Sequence, residues 1–451
     1  MEETIAAIAT PLGVGAISII RVSGKDAIPI VNKIFKGKDL NNVPSHTIHY
    51  GHIMEKENVI DEVLLSVMRA PKTYTREDVI EINSHGGIAT TNKILELLLE
   101  NGCVPAQPGE FTKRAFLNGR IDLEEAEGIM NLIEAKTEPA LKLSMNQLTG
   151  KVSNKIKQLR EDIVKILANI EVNIDYPEYE DIEEMTYEML IPKIEEIKQK
   201  INKILEDSKS GKIITEGIKT SIIGRPNVGK SSILNALLEE DKAIVTEIAG
   251  TTRDIVEGKI NLGGFILNMI DTAGIRKTDD IVEQIGVHKS LSLIEESDLV
   301  LYVLNNNEEL TNEDIELLEK IKEKNYIIIL NKIDLPSKID LKELKVENIV
   351  KMSVKENIGI DELKEKIKEI FHLGNIELSD MTFVTSARSI AILKQIKESI
   401  QDIEASLDEK LPIDIIEIDI KNIWDKLGEI IGISYENELI DTLFSQFCLG
   451  K

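Results

Sequence analysis

The chain has 451 residues, with 54 Lys and Arg against 79 Asp and Glu, for a formal net charge of −25. That length supports two to four domains with large cores, and the charge weighs against sequence-blind nucleic-acid binding, so a nucleic-acid partner must be held by local basic patches. Aromatic residues at 4% leave little for a base-stacking platform, two cysteines leave no disulfide framework, and no apolar run approaches the ~20 residues of a membrane span.

The start, Met1-Glu2-Glu3-Thr4-Ile5, is acidic and lacks the basic region of a secretory signal. With only Cys103 and Cys448, far apart, this predicts a reduced, cytoplasmic protein that does not enter a membrane. Residues 1–118 read as α/β. Strands are predicted over 4–10 and 16–22, around the turn Pro11-Leu12-Gly13-Val14-Gly15, and over 63–68 and 78–82. Helical spacing of apolar residues runs from Ala89 to Leu99, and Asn101-Gly102 stops it. From Asp122 to about Gly211 the pattern is helical, opening on Asp122 and Glu125 as a capping box and broken at Asp175-Tyr176-Pro177-Glu178-Tyr179. Strand and helix alternate from about 215 to 373, and helical periodicity returns from Ser389. Neither helical stretch has a complete core of its own, so the simplest organisation is one helical domain split by an insertion.

Within the insertion, Gly224 to Ser231 (GRPNVGKS) fits the phosphate-loop pattern, between a predicted strand, Ile218–Ile223, and a helix beginning about Ser232. A glycine loop leading into a helix N-terminus turns backbone N–H groups and the positive end of the helix dipole toward one polyphosphate. Lys230 would reach the β- and γ-phosphates and Ser231 would ligate Mg²⁺; the competing reading is a chance glycine turn. Four further elements follow in order. Gly250-Thr251-Thr252-Arg253-Asp254 offers a second hydroxyl for Mg²⁺, at Thr252. Asp271-Thr272-Ala273-Gly274, after the strand Phe265–Ile270, places a carboxylate near the metal. In Asn331-Lys332-Ile333-Asp334, after the strand Tyr326–Leu330, Asp334 would accept from guanine N1 and N2. Ser353-Val354-Lys355 lies where a backbone N–H should meet guanine O6. Any one of these is weak, but five in order specify a GTP-binding domain and resemble the translation-factor-related GTPases. Ras-like switches carry a glutamine after Asp-Thr-Ala-Gly, where this chain has Ile275. Glu283 is the candidate for orienting the attacking water, against the alternative of a solvated carboxylate at a helix start.

Outside the GTPase core, Thr4–Gly24 (TIAAIATPLGVGAISIIRVSG), Tyr74–Gly87 (YTREDVIEINSHGG) and Pro108–Ala126 (PGEFTKRAFLNGRIDLEEA) resemble the tRNA modification GTPase family MnmE, also called TrmE. The terminal Phe447-Cys448-Leu449-Gly450-Lys451 is similar to that family's C-x-G-K ending. Two departures stand out, Val354 in place of the usual alanine and Leu449 where isoleucine is common.

The resemblance implies a fold that is α/β plus all-α. It comprises an N-terminal α/β folate-binding and dimerisation domain at 1–118, a discontinuous helical domain at 119–214 and 374–451, and an inserted Ras-like G domain at 215–373. It implies a homodimer that joins an FAD-dependent subunit in a heterotetramer and installs a carboxymethylaminomethyl-type group on C5 of the wobble uridine of certain tRNAs. Cofactors would be GTP, Mg²⁺, K⁺ and a reduced folate, 5,10-methylene- or 5-formyltetrahydrofolate. GTP contacts would fall on Asn227, Val228, Gly229, Lys230, Ser231 and Ser232, and on Thr246, Glu247, Ile248, Ala249, Gly250, Thr251 and Thr252. They would continue at Asp271, Thr272, Ala273, Gly274, Asn331, Lys332, Asp334, Ser353, Val354 and Lys355. K⁺ would be held by Asn227, Thr246, Ile248 and Thr251, doing the work of an arginine finger. Folate would meet Arg21, Glu81, Arg120 and Lys451; taken singly, Arg21 and Arg120 would pass as surface arginines.

Cys448 has two readings, a thiolate that attacks C6 of uracil to activate C5 and a packed apolar cysteine between Phe447 and Leu449. Cys103 reads as core. His46, His49 and His52 step by three, which in a strand puts His49 opposite its two neighbours and favours strand or surface histidines over a metal site. A ribosome-assembly GTPase acting as an RNA-binding switch is the alternative function; it would carry a basic appendage, and none follows residue 373. A purely regulatory GTPase would hydrolyse GTP alike in K⁺ and Na⁺.

Overall fold

The computed structural model describes residues 3–175, 186–240, 258–262, 264–270, 292–339, 346–371, 373, 382–434 and 437–451. They form two compact units, one of Met1–Met130, Leu148–Ile191 and Glu398–Lys451, the other of Asn131–Gln147 and Pro192–Lys397.

The first unit holds a seven-stranded sheet of β1 (Ile5–Ile8), β2 (Gly15–Ser23), β3 (Phe35–Lys36), β4 (Thr47–Glu55), β5 (Asn58–Met68), β6 (Val79–Gly86) and β7 (Val104–Pro105), in the order β3-β4-β5-β6-β2-β1-β7. All neighbours are antiparallel except β1 and β7. Alternation sorts the side chains. Ile20, Val22, Ile53, Leu65, Val67, Ile80 and Ile82 face a core closed by the helices Ala27–Ile34 and Ile88–Glu100. The opposite face carries Ile17, Arg21, Ile48, Tyr50, Leu64 and Glu81. The helix Ala27–Ile34 tolerates Pro29 because it stands in the first turn, where its missing N–H has no intrahelical partner to lose. Helices from both ends of the chain share a core: Phe116, Leu123 and Ala126 pack with Ile440, Phe444 and Phe447. The helices Lys151–Asp175 and Ile413–Ile431 also meet, with Arg160 stacked 4.2 Å from the Trp424 ring centroid. The helical domain is thus discontinuous in sequence. The expected capping box is present, Asp122 N donating to Glu125 Oε2 at 2.8 Å and Glu125 N to Asp122 Oδ1 at 3.1 Å.

The second unit holds a six-stranded sheet of β8 (Ile218–Ile223), β9 (Gly258–Asn261), β10 (Ile266–Met269), β11 (Leu299–Asn305), β12 (Asn325–Asn331) and β13 (Ile349–Lys351), ordered β13-β12-β11-β8-β10-β9. Only β9 and β10 run antiparallel. Every residue of β11, LVLYVLN, is buried, as a central parallel strand covered on both faces requires. One face packs Ile222, Leu301 and Ile329 against Leu234, Leu237 and Leu363; the other packs Val300, Tyr302 and Ile328 against Leu317, Leu318 and Ile321. Among the described residues no helix is long and apolar enough to cross a membrane.

Candidate functional site

In the second unit, β8 lies between β10 and β11, where the strand order reverses, so the loop after Ile223 opens at the carboxyl edge where doubly wound sheets form their ligand crevice. Gly224 has φ +144°, and a Cβ there would meet the Val303 carbonyl. Gly229, at φ +105°, leaves the space taken by the Asn331 side-chain amide. Asn227 is also left-handed, at φ 61°. Such windings make the backbone nests that gather N–H groups around an anion, here ahead of the helix Lys230–Glu240. Lys230 Nζ donates to the carbonyls of Gly224 and Arg225, each at 2.7 Å. Ser231 and Ser232 are exposed on the helix's first turn, and Val228 is buried beneath the loop.

The end of β12 closes on the same loop. Asn331, buried, donates from Nδ2 to Val228 O at 2.9 Å, and Lys332 Nζ donates to Asn227 O at 2.9 Å. Asp334 is exposed, with Oδ1 accepting from the buried Ser353 Oγ at 2.8 Å. A carboxylate held by one oxygen keeps its plane, and such a group can accept the paired N–H donors of guanine. The Ser353 N–H donates to Ile358 O at 3.1 Å. Thr246, Glu247, Ile248, Ala249, Gly250, Thr251, Thr252, Asp271, Thr272, Ala273, Gly274 and Glu283 lie outside the described residues.

In the first unit, Arg21 on β2 stands opposite Glu81 on β6. Its Nε and Nη2 lie 2.9 and 2.8 Å from Glu81 Oε1, while Nη1 donates to Gly450 O at 2.8 Å. The C-terminal residues are also tied by main chain, Gly109 N to Cys448 O at 3.3 Å and Phe111 N to Lys451 O at 3.1 Å. Lys451 is half-buried, and burial first, then the charge of Arg21, lowers its ammonium below the usual lysine range. Tyr74 joins Arg120 to the group, its ring centroid 4.7 Å from the Arg120 guanidinium carbon and 5.8 Å from that of Arg21. The Tyr74 hydroxyl shares a 2.8 Å hydrogen bond with Thr112 Oγ1, and burial raises the phenol. Phe111 lies 5.6 Å from the Arg21 guanidinium on another side.

Arg21, Glu81, Arg120 and Lys451 are thus brought together from positions far apart in sequence. Arg21 holds Glu81, Lys451 feels the charge of both, and Arg120 joins them through the Tyr74 ring, so the cluster suits a ligand that brings both a polar ring edge for Glu81 and an anionic tail for the cations. A reduced folate has both. Sequence reasoning did not single out Tyr74 and Phe111, whose part depends on long-range packing; the signal was an aromatic residue opening YTREDVIEINSHGG in a chain poor in aromatics.

Cys103 is buried, and burial pushes its thiol up to about 12, as a core cysteine should behave. Cys448 is exposed beside a buried Phe447 and an exposed Leu449, so the packed-cysteine alternative does not describe it. His46 Nδ1 pairs with Ser45 Oγ at 2.8 Å, His49 Nε2 with Thr47 Oγ1 at 2.7 Å, and His52 meets the Tyr50 ring edge-on. Among the described residues no three His, Cys, Asp or Glu side chains are grouped to hold a metal.

Residues 4–120 match the family model described as GTP-binding protein TrmE N-terminus, and residues 123–448 match that of the MnmE helical domain. The chain is 55% identical over its whole length to the tRNA modification GTPase MnmE of Bacillus cytotoxicus, covering 99% of that protein. It is 56% identical to the protein of the same name from Ligilactobacillus salivarius and 54% identical to that of Enterococcus faecalis, covering 98% of each and the whole of this chain.

Proposed function

This chain belongs to the MnmE family of tRNA modification GTPases, and we propose that it is a K⁺-dependent GTPase that adds a carboxymethylaminomethyl-type group to C5 of the wobble uridine of certain tRNAs, with a reduced folate as one-carbon donor. The observation that carries the folate half of this reading is the convergence of Arg21, Glu81, Tyr74, Arg120 and Lys451. Glu81 accepts from a pterin N–H edge while the cations hold the glutamate tail. The one-carbon unit is what the folate supplies when bound.

In the G domain, Lys230 neutralises charge on the β- and γ-phosphates, and Ser231 with Thr252 holds Mg²⁺ near Asp271. Asn227, Thr246, Ile248 and Thr251 hold K⁺, which offsets the charge that Ras-like enzymes meet with an arginine. Glu283 orients the water that Ile275 cannot. Asp334 selects guanine, and Val354 or Lys355 offers its amide to O6.

The protein works as a homodimer through its N-terminal domains and with an FAD-dependent subunit. The open sheet face supports the first pairing, because Ile17, Ile48, Tyr50 and Leu64 are 64, 67, 60 and 50% exposed there, an apolar patch of the kind that marks an interface. Two unpaired cysteines accord with a reduced, cytoplasmic setting. The exposed Cys448 thiol, anchored beside Lys451, is a candidate nucleophile toward uracil C6.

Equilibrium binding of 5-formyltetrahydrofolate to the purified protein and to Arg21→Ala tests the folate reading. Saturable binding that weakens in the variant supports it; a folded, GTP-competent protein that binds no folate overturns it. Hydrolysis rates in K⁺ and in Na⁺ test the cation, and equal rates would remove it from the mechanism.

A further inference from the structure

Arg225, directly after the first glycine of the phosphate loop, makes its charged contacts outside that loop. Nη2 lies 2.9 Å from Glu308 Oε2, and Nε lies 3.2 Å from Asp314 Oδ2. The Nε contact is off the line of a good hydrogen bond, so charge holds it more than alignment does. Asp314 is fully buried in the first turn of the helix Asn312–Ile321. Its Oδ1 accepts from Tyr302 Oη at 2.8 Å, and its Oδ2 accepts from Thr311 N and Oγ1 at 2.9 and 2.8 Å, part of a capping box. A capping box needs a side-chain acceptor three residues after the cap, but it does not need a charge fully removed from water. Burial of that charge is costly unless a cation stands by, and this one comes from the phosphate loop.

The loop has a matching need. Gly224, Asn227 and Gly229 all take positive φ within six residues, a conformation that persists only where the surroundings over-determine it. Asn331 and Lys332 fix the carbonyls of Val228 and Asn227. At the other end, the carbonyls of Gly224 and Arg225 hold the Lys230 ammonium, so their placement sets the placement of that charge.

We propose that Arg225 is a positioning residue for GTP hydrolysis, anchoring the first bend of the phosphate loop, and through it the Lys230 ammonium, on the buried carboxylate of Asp314. Tyr302, in the centre of β11, is the outermost member of the same chain of contacts. It acts on the nucleotide only through Asp314 and Arg225.

The test uses the full-length protein. Arg225→Lys keeps the charge but loses the fork that spans Glu308 and Asp314. Tyr302→Phe removes one hydrogen bond to Asp314 and leaves the loop's own residues intact. Affinities for fluorescent GDP and GTP analogues, KM and kcat for GTP, and the Tm of each variant are measured together. Arg225→Lys is expected to weaken GDP and GTP alike by about tenfold, within the range of coupling between residues in one network. The preference for GTP over ATP should hold, because Asp334 is untouched. Tyr302→Phe should weaken both nucleotides in the same direction by a smaller factor. Combining Arg225→Lys with Asp314→Asn should weaken them little more than the worse single change.

If both single variants lower Tm while Kd and KM stay at wild-type values, Arg225 is only a stabilising ion pair and the proposal fails. Full additivity of the double variant would also overturn it, since Arg225 would then not act through Asp314. Should Arg225→Lys not fold, Tyr302→Phe decides alone.

Discussion

Arg21 and Glu81 stand in register on neighbouring antiparallel strands and share one oxygen, Glu81 Oε1, across two short contacts of 2.9 and 2.8 Å. The pair sits on the open face of the sheet beside the Gly450 carbonyl, which accepts from the same guanidinium. A strand pair is the stiffest place to hold a charge, because the ladder fixes both backbones. Arg21→Ala is expected to weaken 5-formyltetrahydrofolate binding by about 10- to 100-fold, the worth of one or two hydrogen bonds to a charged group. Glu81→Gln, which keeps the shape and loses the charge, should weaken binding less than Glu81→Ala. Calorimetric titration measures both. Equal losses from the two glutamate changes would show that the charge alone, and not the shape the glutamine keeps, is what the ligand reads.

Lys451 gives the same site a pH dependence. Burial, then the nearby Arg21 charge, lowers its ammonium below the ordinary value of 10.5. A lysine lowered in this way loses its proton earlier than an exposed one as pH rises. The sign for stability is that folding disfavours the charged form, so this group's penalty is relieved as pH climbs through the lowered value toward 10.5. Attraction for an anionic tail moves the opposite way. Folate affinity is expected to fall on the alkaline side, starting below the usual lysine range. Lys451→Arg, whose guanidinium stays charged, should flatten that fall. An alkaline fall that persists unchanged in Lys451→Arg would assign the titration to another group.

Asp334 is fixed by Ser353 rather than left to swing, through the 2.8 Å bond to Oδ1. Asp334→Asn replaces one of the two oxygens that would accept from guanine N1–H and N2–H with an NH2 donor, and should abolish the preference for GTP over ATP. Ser353→Ala leaves the carboxylate in place but unanchored, so it should weaken GTP by about five- to tenfold, near one neutral hydrogen bond, without admitting ATP. Competition of ATP against labelled GDP reads both outcomes. An Asp334→Asn protein that still prefers GTP would displace the guanine site from this loop.

These elements differ in how openly the sequence carries them. Gly224–Ser231 announces strand, loop and helix because each is local, and the structure begins the helix at Lys230. Asn331-Lys332-Ile333-Asp334 ends β12 as expected for the same reason, and Asn101-Gly102 stops the helix Ile88–Glu100, with Gly102 at φ +115°. The strand β4 was not legible. Its run HYGHIME after Thr47-Ile48 mixes histidine, glycine and tyrosine, so neither alternation nor an apolar block marks it, and its identity comes from pairing with β5. Arg225 likewise looks like a filler position in the loop motif. Only the fold brings Asp314, about ninety residues later, beneath it. The Tyr74 hub depends on three segments meeting and leaves no local period to read.

Arg114 joins the stability of the first unit to the cluster around Arg21 and Tyr74. Its Nη1 lies 3.1 Å from Glu77 Oε1 and its Nη2 2.8 Å from Glu110 Oε1, with the three side chains 8, 14 and 21% exposed. Glu77 Oε2 also accepts from Ser23 Oγ at 2.6 Å, so the carboxylates are held on several sides. Arg114→Met removes the cation that pairs with both Glu77 and Glu110 and leaves two largely buried carboxylates without it. Breaking a buried pair in this way costs about 3–5 kcal/mol, and the urea midpoint of the first unit should fall accordingly. Glu110→Gln should cost much less, because its partner retains Glu77 and the group is the most exposed of the three. Arg114 stands on the helix Glu110–Leu117 with Phe111 and Thr112, which contact Arg21 and Tyr74. A loosened helix therefore loosens both supports of the cation cluster, and folate affinity should drop together with stability in Arg114→Met while GTP hydrolysis by the G domain continues. An Arg114→Met protein with the wild-type urea midpoint would show that the carboxylates have found water, and that this network does not hold the helix.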